Sequence, residues 1–392
     1  MINSKKIIIS TVLASVLLLG GCSNNKSDNT ISETEIPEVL NVSDEQYYKY
    51  LWHIDSANSN KEKISQEVSA SFNDEYVVDE ISADADINIL DAWKITKGKD
   101  VLVAVVDDGG DVNHEDLKAN IYLAYNADDG TTDISNKSND IDESSHGNHC
   151  AGLISAPING IGIIGTAPES KLILIRQYDE SDEKTIVAFE YAKKNGAKVI
   201  NCSWGTGDVS EAVEAELKSL YDAGITVVFA SGNNGKSLDA NATEYDYTDE
   251  TEVQWVIGVG ASSETNDVTP YSDYGKNIDL LAPGGDTQYS VGILGLDDSG
   301  TQGSTNNYGL VSNSYAFIDG TSFASPLVAG VVALMYSVNP EITPKQVRDI
   351  LIATADKIGG TNANYINGFD EKRAYGKVNA LKAVQEAQKL IN

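Results

Sequence analysis

Residues 101–110 read VLVAVVDDGG. The first six are apolar and rich in β-branched valine, with no polar residue between them, so the run predicts a strand buried on both faces. It stops at two carboxylates and two glycines. A buried strand therefore delivers charged side chains at its carboxyl end, next to residues that let other groups approach the backbone closely. The same kind of run recurs along the chain at 171–175 (KLILI), 197–203 (AKVINCS), 225–230 (ITVVFA), 255–261 (WVIGVGA) and 277–282 (NIDLLA). Helical patterns lie between and after them, over 147–156, 182–195, 210–223, 322–338, 344–355 and 377–390. Pro344 after Thr343 is a start signal for one of these. Strand–helix alternation predicts an α/β fold, a mainly parallel sheet flanked by helices on both faces, in a single domain over 41–392. In such sheets functional residues gather where strand carboxyl ends meet helix starts. Segment 55–85 is polar, acidic and aperiodic, and is expected to be a surface excursion with room for one short helix.

With 28 basic against 59 acidic residues the net charge is −31. A surface this acidic excludes nucleic acid and anionic lipid headgroups as partners and suits metal ions or basic peptides, or serves solubility alone. The three cysteines, Cys22, Cys150 and Cys202, are too few for a disulfide framework. A Cys150–Cys202 bridge and two buried free thiols both remain open, the thiols being favoured because free cysteine packs as a small apolar residue.

The chain starts with Lys5 and Lys6, continues through an apolar run from Ile7 to Leu19, and reaches Gly20-Gly21-Cys22. The run is short for a membrane span. It resembles a bacterial lipoprotein signal, with 1–21 removed and Cys22 carrying lipid such as palmitate. An ordinary signal peptide with a chance cysteine is the alternative. The polar, acidic stretch 22–40 then reads as a tether. The expectation is export and anchoring to the outer face of a bacterial membrane.

Four glycine-rich segments carry the chemistry. VAVVDDGG ends a strand at Asp107, HGNHCAG opens a helix at His146, ASGNNG ends a strand at Asn233, and GTSFASPLVAG opens a long helix at Ser322. A serine hydroxyl is a weak nucleophile that needs an imidazole to take its proton. The imidazole needs a carboxylate to fix its tautomer and stabilise its charge. A tetrahedral intermediate needs a donor aimed at its oxyanion, which an asparagine amide supplies, and a helix N-terminus adds N–H groups. Each residue alone has a plainer use: a turn or metal-binding Asp, a structural His, a helix-capping Ser, an Asn tolerant of left-handed backbone. Their joint occurrence in the order Asp, His, Asn, Ser is what points to acyl transfer. The order also excludes lipases and esterases, which run Ser, Asp, His.

These boxes resemble those of the subtilase family of serine proteases, from about Asn41 to the C-terminus. Asn148 after His-Gly, where the family usually has Thr, is a mild departure. The resemblance implies an endopeptidase with a triad of Asp107, His146 and Ser322, an oxyanion donor in Asn233, and protein or peptide substrates. A non-catalytic binding protein on the same fold would be expected to lack one of these residues. Several details are similar to the kexin and furin branch: Asp107-Asp108-Gly109, the substrate-pairing strand Ser203-Trp204-Gly205 followed by Asp208, and QYYKYLWHI over 46–54. By that resemblance Asp208 and Glu244 serve the first specificity pocket and Asp108 and Glu143 the second. This implies cleavage after Arg or Lys, with a broad apolar preference as the alternative. The acidic stretch 178–183 matches a more distant pocket loosely.

The same resemblance implies structural Ca2+, bound outside cells by carboxylates and carbonyls. Its main site would use Asp116, the side chain of Asn159, and the carbonyls of Pro157, Ile161 and Ile163, with Asp44 or Glu45 as an N-terminal ligand. A second would use Asp208, Asp239 and Asp273. Family members usually carry a folding pro-domain, whereas the stretch before residue 41 is too short for a packed core. Folding is therefore expected to proceed unaided or with a separate chaperone. No β-sandwich is expected after the catalytic domain, and a monomer is expected. Cys150, four residues after His146, implies inhibition by mercurials.

Overall fold

The strand that begins the sequence argument is the hub of the sheet. The structure is a computed structural model describing residues 40–72, 78, 80–135, 146–205, 208–239, 249–288, 290–299, 309–312 and 314–391, within one unit, Leu40–Asn392. β1 (Leu102–Asp107) is flanked by β3 (Lys171–Arg176) and β4 (Val199–Cys202). β2 (Ile121–Asn126) lies beyond β3, and β5 (Thr226–Ala230), β6 (Val256–Ser262) and β7 (Leu280–Pro283) follow β4, so the order is β2-β3-β1-β4-β5-β6-β7. Every neighbouring pair is parallel. The chain first builds to one side of β1 and then to the other. The reversal places a crevice at the carboxyl end of β1, where Asp107 pairs in register with Arg176.

Alternate residues of these strands feed two separate cores, as a period of two requires. Val103, Val105, Leu172, Leu174, Val199 and Val228 join one; Ala104, Val106, Ile173, Ile175, Ile200 and Phe229 join the other. The first core is closed by α3 (His146–Ser155), α6 (Thr321–Val338) and α8 (Ala380–Lys389), the second by α4 (Asp182–Lys194) and α5 (Glu211–Asp222). α6 is apolar all round because it crosses under β4 to β7 and is buried along nearly its whole length. α7 (Pro344–Thr354) starts with a capping box from Thr343 to Gln346, as the Thr-Pro signal predicted.

Three features depart from the sequence expectation. The 55–85 stretch contains α1 (Lys61–Phe72), a full twelve-residue helix that buries Ile64, besides the short α2 (Ile89–Ala92) after it. β2 was not expected, because IYLAYN lies at the sheet edge with only one of its residues fully buried and so lacks a continuous apolar run. A second, antiparallel sheet of β8 (Ile293–Leu296), β10 (Tyr315–Ile318) and β9 (Gly309–Ser312) packs β8 against α3. The N-terminal aromatics serve this corner: Trp52 is fully buried and its indole N–H donates to the Gly292 carbonyl at 2.9 Å.

Candidate active site

Asp107 ends β1 and His146 begins α3, so one strand end and one helix start bring the two together. His146 Nδ1 donates to Asp107 Oδ1 at 2.7 Å. The approach depends on Gly147, where a Cβ would stand 2.2 Å from the Gly109 carbonyl and 2.9 Å from Asp108 Oδ1. Burial would raise the Asp107 carboxyl, but the His146 charge and hydrogen bond hold it below its ordinary value. Burial would likewise depress His146, and Asp107, with Asp108 beside it, outweighs that and raises it. The pair is thus set for Nδ1 to keep its proton while Nε2 accepts one.

Ser322 is the second residue of α6. Four residues later Pro326 lacks an N–H, so the Ser322 carbonyl loses its helical partner. That carbonyl accepts instead from Ser203 Oγ at 2.7 Å and from Cys150 Sγ at 3.4 Å. In return Ser322 Oγ donates to the Ser203 carbonyl at 3.0 Å. Among the described residues Ser322 and His146 share no hydrogen bond, so the Ser322 hydroxyl would have to leave the Ser203 carbonyl to donate to His146. Catalytic hydrogen bonds are often unformed before substrate binds.

Asn233 follows β5. Its Oδ1 accepts from both the backbone N–H and the hydroxyl of Thr321, each at 2.9 Å. The oxygen being held, Nδ2 is the end left for a substrate oxyanion beside Ser322. The turn carrying Asn233 is shaped by Asp273, whose Oδ1 accepts from the N–H groups of Asn234 and Lys236 at 3.1 and 2.8 Å. Asp273 is therefore a buried turn-former.

Two cavities flank these groups. One, of about 350 Å³, opens at Ser322 between residues 203–205 and 230–234 and includes Asp249. The other, of about 540 Å³, is lined by Asp107, Asp108, His146, Tyr178, Glu180 and Trp204. Trp204 is anchored by its indole N–H to the Val106 carbonyl at 2.8 Å. Burial beside Asp107 pushes Asp108 up to about 8. Ser203, Trp204, Gly205 and Asp108 line these cavities, and Tyr178 and Glu180 of the acidic stretch join them. Asp208 does not: it is exposed and lines neither cavity. Glu143 and Glu244 lie outside the described residues.

Of the two expected calcium sites, one converges. Asp116 is fully buried, and Glu45 is nearly so. Glu45 Oε1 accepts from Gly160 N–H at 2.9 Å, while its buried Oε2 has no partner among the described residues. Burial, with Glu45 and Glu115 nearby, pushes Asp116 up to about 8. Asn159 Nδ2 donates to Asp116 Oδ1 at 2.9 Å and its Oδ1 accepts from Ile161 N–H at 2.7 Å. The Asn159 amide would turn over to offer oxygen to a cation. Two buried carboxylates whose hydrogen-bond partners among the described residues are amides fit a hard dication. The second site does not form. Among the described residues the donor atoms of Asp208, Asp239 and Asp273 do not meet within 4.8 Å. Asp273 is used by the Asn233 turn, and Asp239 Oδ1 accepts from Lys276 N–H at 3.0 Å.

Cys150 and Cys202 are both buried and free, which decides between the two alternatives. Burial keeps both thiols protonated. Sequence reasoning missed Asp249, Thr321 as the anchor of Asn233, and the task of Asn148. The Asn148 side chain is fully buried, accepts from Asp111 N–H at 2.9 Å and donates to Asp298, tying α3 to the loop after β1 and to the end of β8. Only its departure from the usual Thr signalled this.

The subtilase family model matches residues 98–376. A thermophilic serine proteinase of a Bacillus species is 31% identical over 299 residues, covering 75% of this chain and 64% of that protein. A calcium-dependent protease of a Nostoc species is 32% identical over 340 residues, covering 77% of this chain and 49% of that one. The chain thus spans 64% and 49% of the lengths of these two relatives. A solved protease of Pseudoalteromonas arctica is similar with a TM-score of 0.65 and 28% identity, covering 77% of this chain and 94% of that one.

Proposed function

The chain belongs to the subtilase family, and on that premise we propose that it is a serine endopeptidase with Asp107, His146 and Ser322 as its triad. The observation that carries this is the 2.7 Å Asp107–His146 hydrogen bond, with the His146 ring 5.4 Å from that of Phe323 next to the helix-start serine and Asn233 held by its oxygen to Thr321 on the other side of that serine. Ser322 Oγ attacks the peptide carbonyl as His146 Nε2 takes its proton, and the imidazolium then protonates the leaving amine. Asn233 Nδ2 and the backbone N–H of Ser322 stabilise the oxyanion. Water, activated by the same imidazole, releases the acyl group. Ser322→Ala tests the reading. It should keep the melting temperature while abolishing peptide hydrolysis; in subtilisin, the reference enzyme of this family, the equivalent loss is about a millionfold in kcat. Undiminished turnover by the variant would sink the proposal.

Finer features belong to the same reading. Cleavage after Arg or Lys is supported by the acids in both cavities, Asp249 in one and Asp108 with Glu180 in the other. A peptide series differing only before the scissile bond that favoured Leu or Phe would reject it. A structural Ca2+ is supported by the fit of Asp116, Glu45 and Asn159, with the carbonyls of Pro157, Ile161 and Ile163, and by the calcium-dependent protease among the relatives. Bound there, the ion would neutralise the buried carboxylates and tie the N-terminal segment to the 157–163 loop. A melting temperature indifferent to chelator would argue against it. Export, with lipid on Cys22, 22–40 as tether and 41–392 as the peptidase domain, is supported by the leader pattern. Cys22→Ser should release the protein from the membrane fraction, and its retention there would count against the anchor.

A further inference from the structure

We propose that Asp249, reached past the side-chain-free position of Gly205, is the residue that selects a cationic side chain immediately before the scissile bond. The proposal rests on the endopeptidase reading above.

Among the described residues the cavity beside Ser322 has two acids in its lining, Asp249 and Asp273. Asp273 is not available to a ligand, because its oxygens accept from the backbone of Asn234 and Lys236 and from the Asn234 amide. Asp249 is held differently. Its Oδ1 accepts from Thr251 N–H at 2.9 Å and Thr251 Oγ1 at 2.7 Å, capping the short turn Glu250–Glu252. This fixes the carboxylate in place, and its Oδ2 takes no hydrogen bond among the described residues. A Cβ built on Gly205 would stand 3.5 Å from that Oδ2 and 3.4 Å from Glu250 Oε2, and Glu250 is itself buried. Two carboxylates thus stand behind the one residue of the 203–205 wall that has no side chain. A long cationic side chain entering beside Ser322 reaches Asp249 through that gap, where a guanidinium or ammonium makes a charge-assisted hydrogen bond in partly dry surroundings. The lining also holds one cation, Lys236, which is exposed and makes no ion pair among the described residues. It is the competing determinant, since it would favour an acidic substrate residue.

Two substitutions separate charge from space. Asp249→Asn removes the charge and keeps an Oδ1 for Thr251, so the cap survives. Gly205→Ala places a methyl group at ordinary contact distance in front of both acids. The full chain, the two variants and each of them combined with Ser322→Ala are compared in calcium. One readout is kcat/KM for peptides carrying Arg, Lys, Leu or Glu before the scissile bond. The other is fluorescence titration with p-aminobenzamidine on the Ser322→Ala forms, which needs no turnover. The Arg:Leu ratio of kcat/KM and the amidine affinity should each fall about tenfold or more in Asp249→Asn, the size of a lost hydrogen bond to a charged group. Both should fall in Gly205→Ala as well. Unchanged ratios and affinities overturn the proposal, as does a wild-type preference for Glu. Amidine binding that depends on Asp249, without cleavage of any peptide, upholds the pocket assignment and overturns the endopeptidase reading. Cleavage after Leu with no amidine binding does the reverse.

Discussion

Thr321→Val probes how the oxyanion donor is held. Thr321 is fully buried, and its hydroxyl does two tasks: it donates to Asn233 Oδ1 at 2.9 Å and accepts from Gly232 N–H at 3.1 Å. Valine keeps the shape and the backbone N–H to Asn233 but loses both hydroxyl bonds. A neutral hydrogen bond contributes about 1 kcal/mol net, and a donor left without an acceptor costs roughly 1–3 kcal/mol. The fold should therefore lose about 2 kcal/mol. If about 1 kcal/mol of that loss falls on the orientation of the Asn233 amide in the transition state, kcat should drop roughly fivefold. KM should stay nearly constant, because the amide is aimed at the oxyanion rather than at the ground-state carbonyl. Full removal of the donor in Asn233→Ala sets the ceiling, about a hundred- to a thousandfold by the magnitude known for the corresponding asparagine of subtilisin. The assay is kcat and KM for the two single variants and the double variant on one peptide, with chemical denaturation of each. In the Asn233→Ala background the valine should cost stability but no further kcat. Full additivity of the kcat losses would show that Thr321 acts through some other contact and would refute the reasoning.

Asp108→Asn should move the acid limb of kcat/KM to lower pH. The His146 pKa is raised by Asp107 first and by Asp108 after it, so removing the second charge lowers it; a limb that moves upward or stays put would contradict the assignment. His53 offers a stability test, since it is fully buried, neither ring nitrogen has a partner among the described residues, and burial pushes it down to about 3. Between that value and its ordinary 6.5 the unfolded chain binds a proton that the folded chain refuses. The contribution is complete above pH 6.5 and is lost as pH falls toward 3. His53→Phe should therefore gain on the wild type by about 1.4 kcal/mol per pH unit below that point, whatever its constant packing offset. Denaturation curves at several pH values with parallel stabilities for the two proteins would refute this.

Much of the molecule was legible because its signals are local. β1, β3, β5 and β6 were read from continuous apolar runs, which arise when a strand is covered on both sides. β2 escaped because an edge strand buries only part of itself. α6 was read from its length and from the Gly-Thr-Ser box at its start. The part Pro326 plays in freeing the Ser322 carbonyl needed Ser203 and Cys150 in place, and these lie more than a hundred residues away in the chain. The long polar stretch before residue 85 blurred α1, whose twelve residues offer only Ile64, Val68 and Phe72 as large apolar residues.

The alternation of strand and helix, and the boxes that carry an Asp, a His, an Asn and a Ser at strand and helix ends, are legible in the linear chain. Periodicity, glycine and proline act through neighbours a few residues apart, so they survive in the linear text. Which carboxylates matter is settled by packing. Asp208, Asp239 and Asp273 read alike as acids in Gly- or Ser-containing turns, and Asp249, in EYDYTDETE, carried no signal of its own. Packing sends Asp208 to solvent, ties Asp239 to Lys276, uses Asp273 to shape the Asn233 turn and leaves one oxygen of Asp249 open to the cavity. A carboxylate acts on a ligand only through the oxygens its own fold has not already hydrogen-bonded, and that remainder is set by groups far apart in the chain.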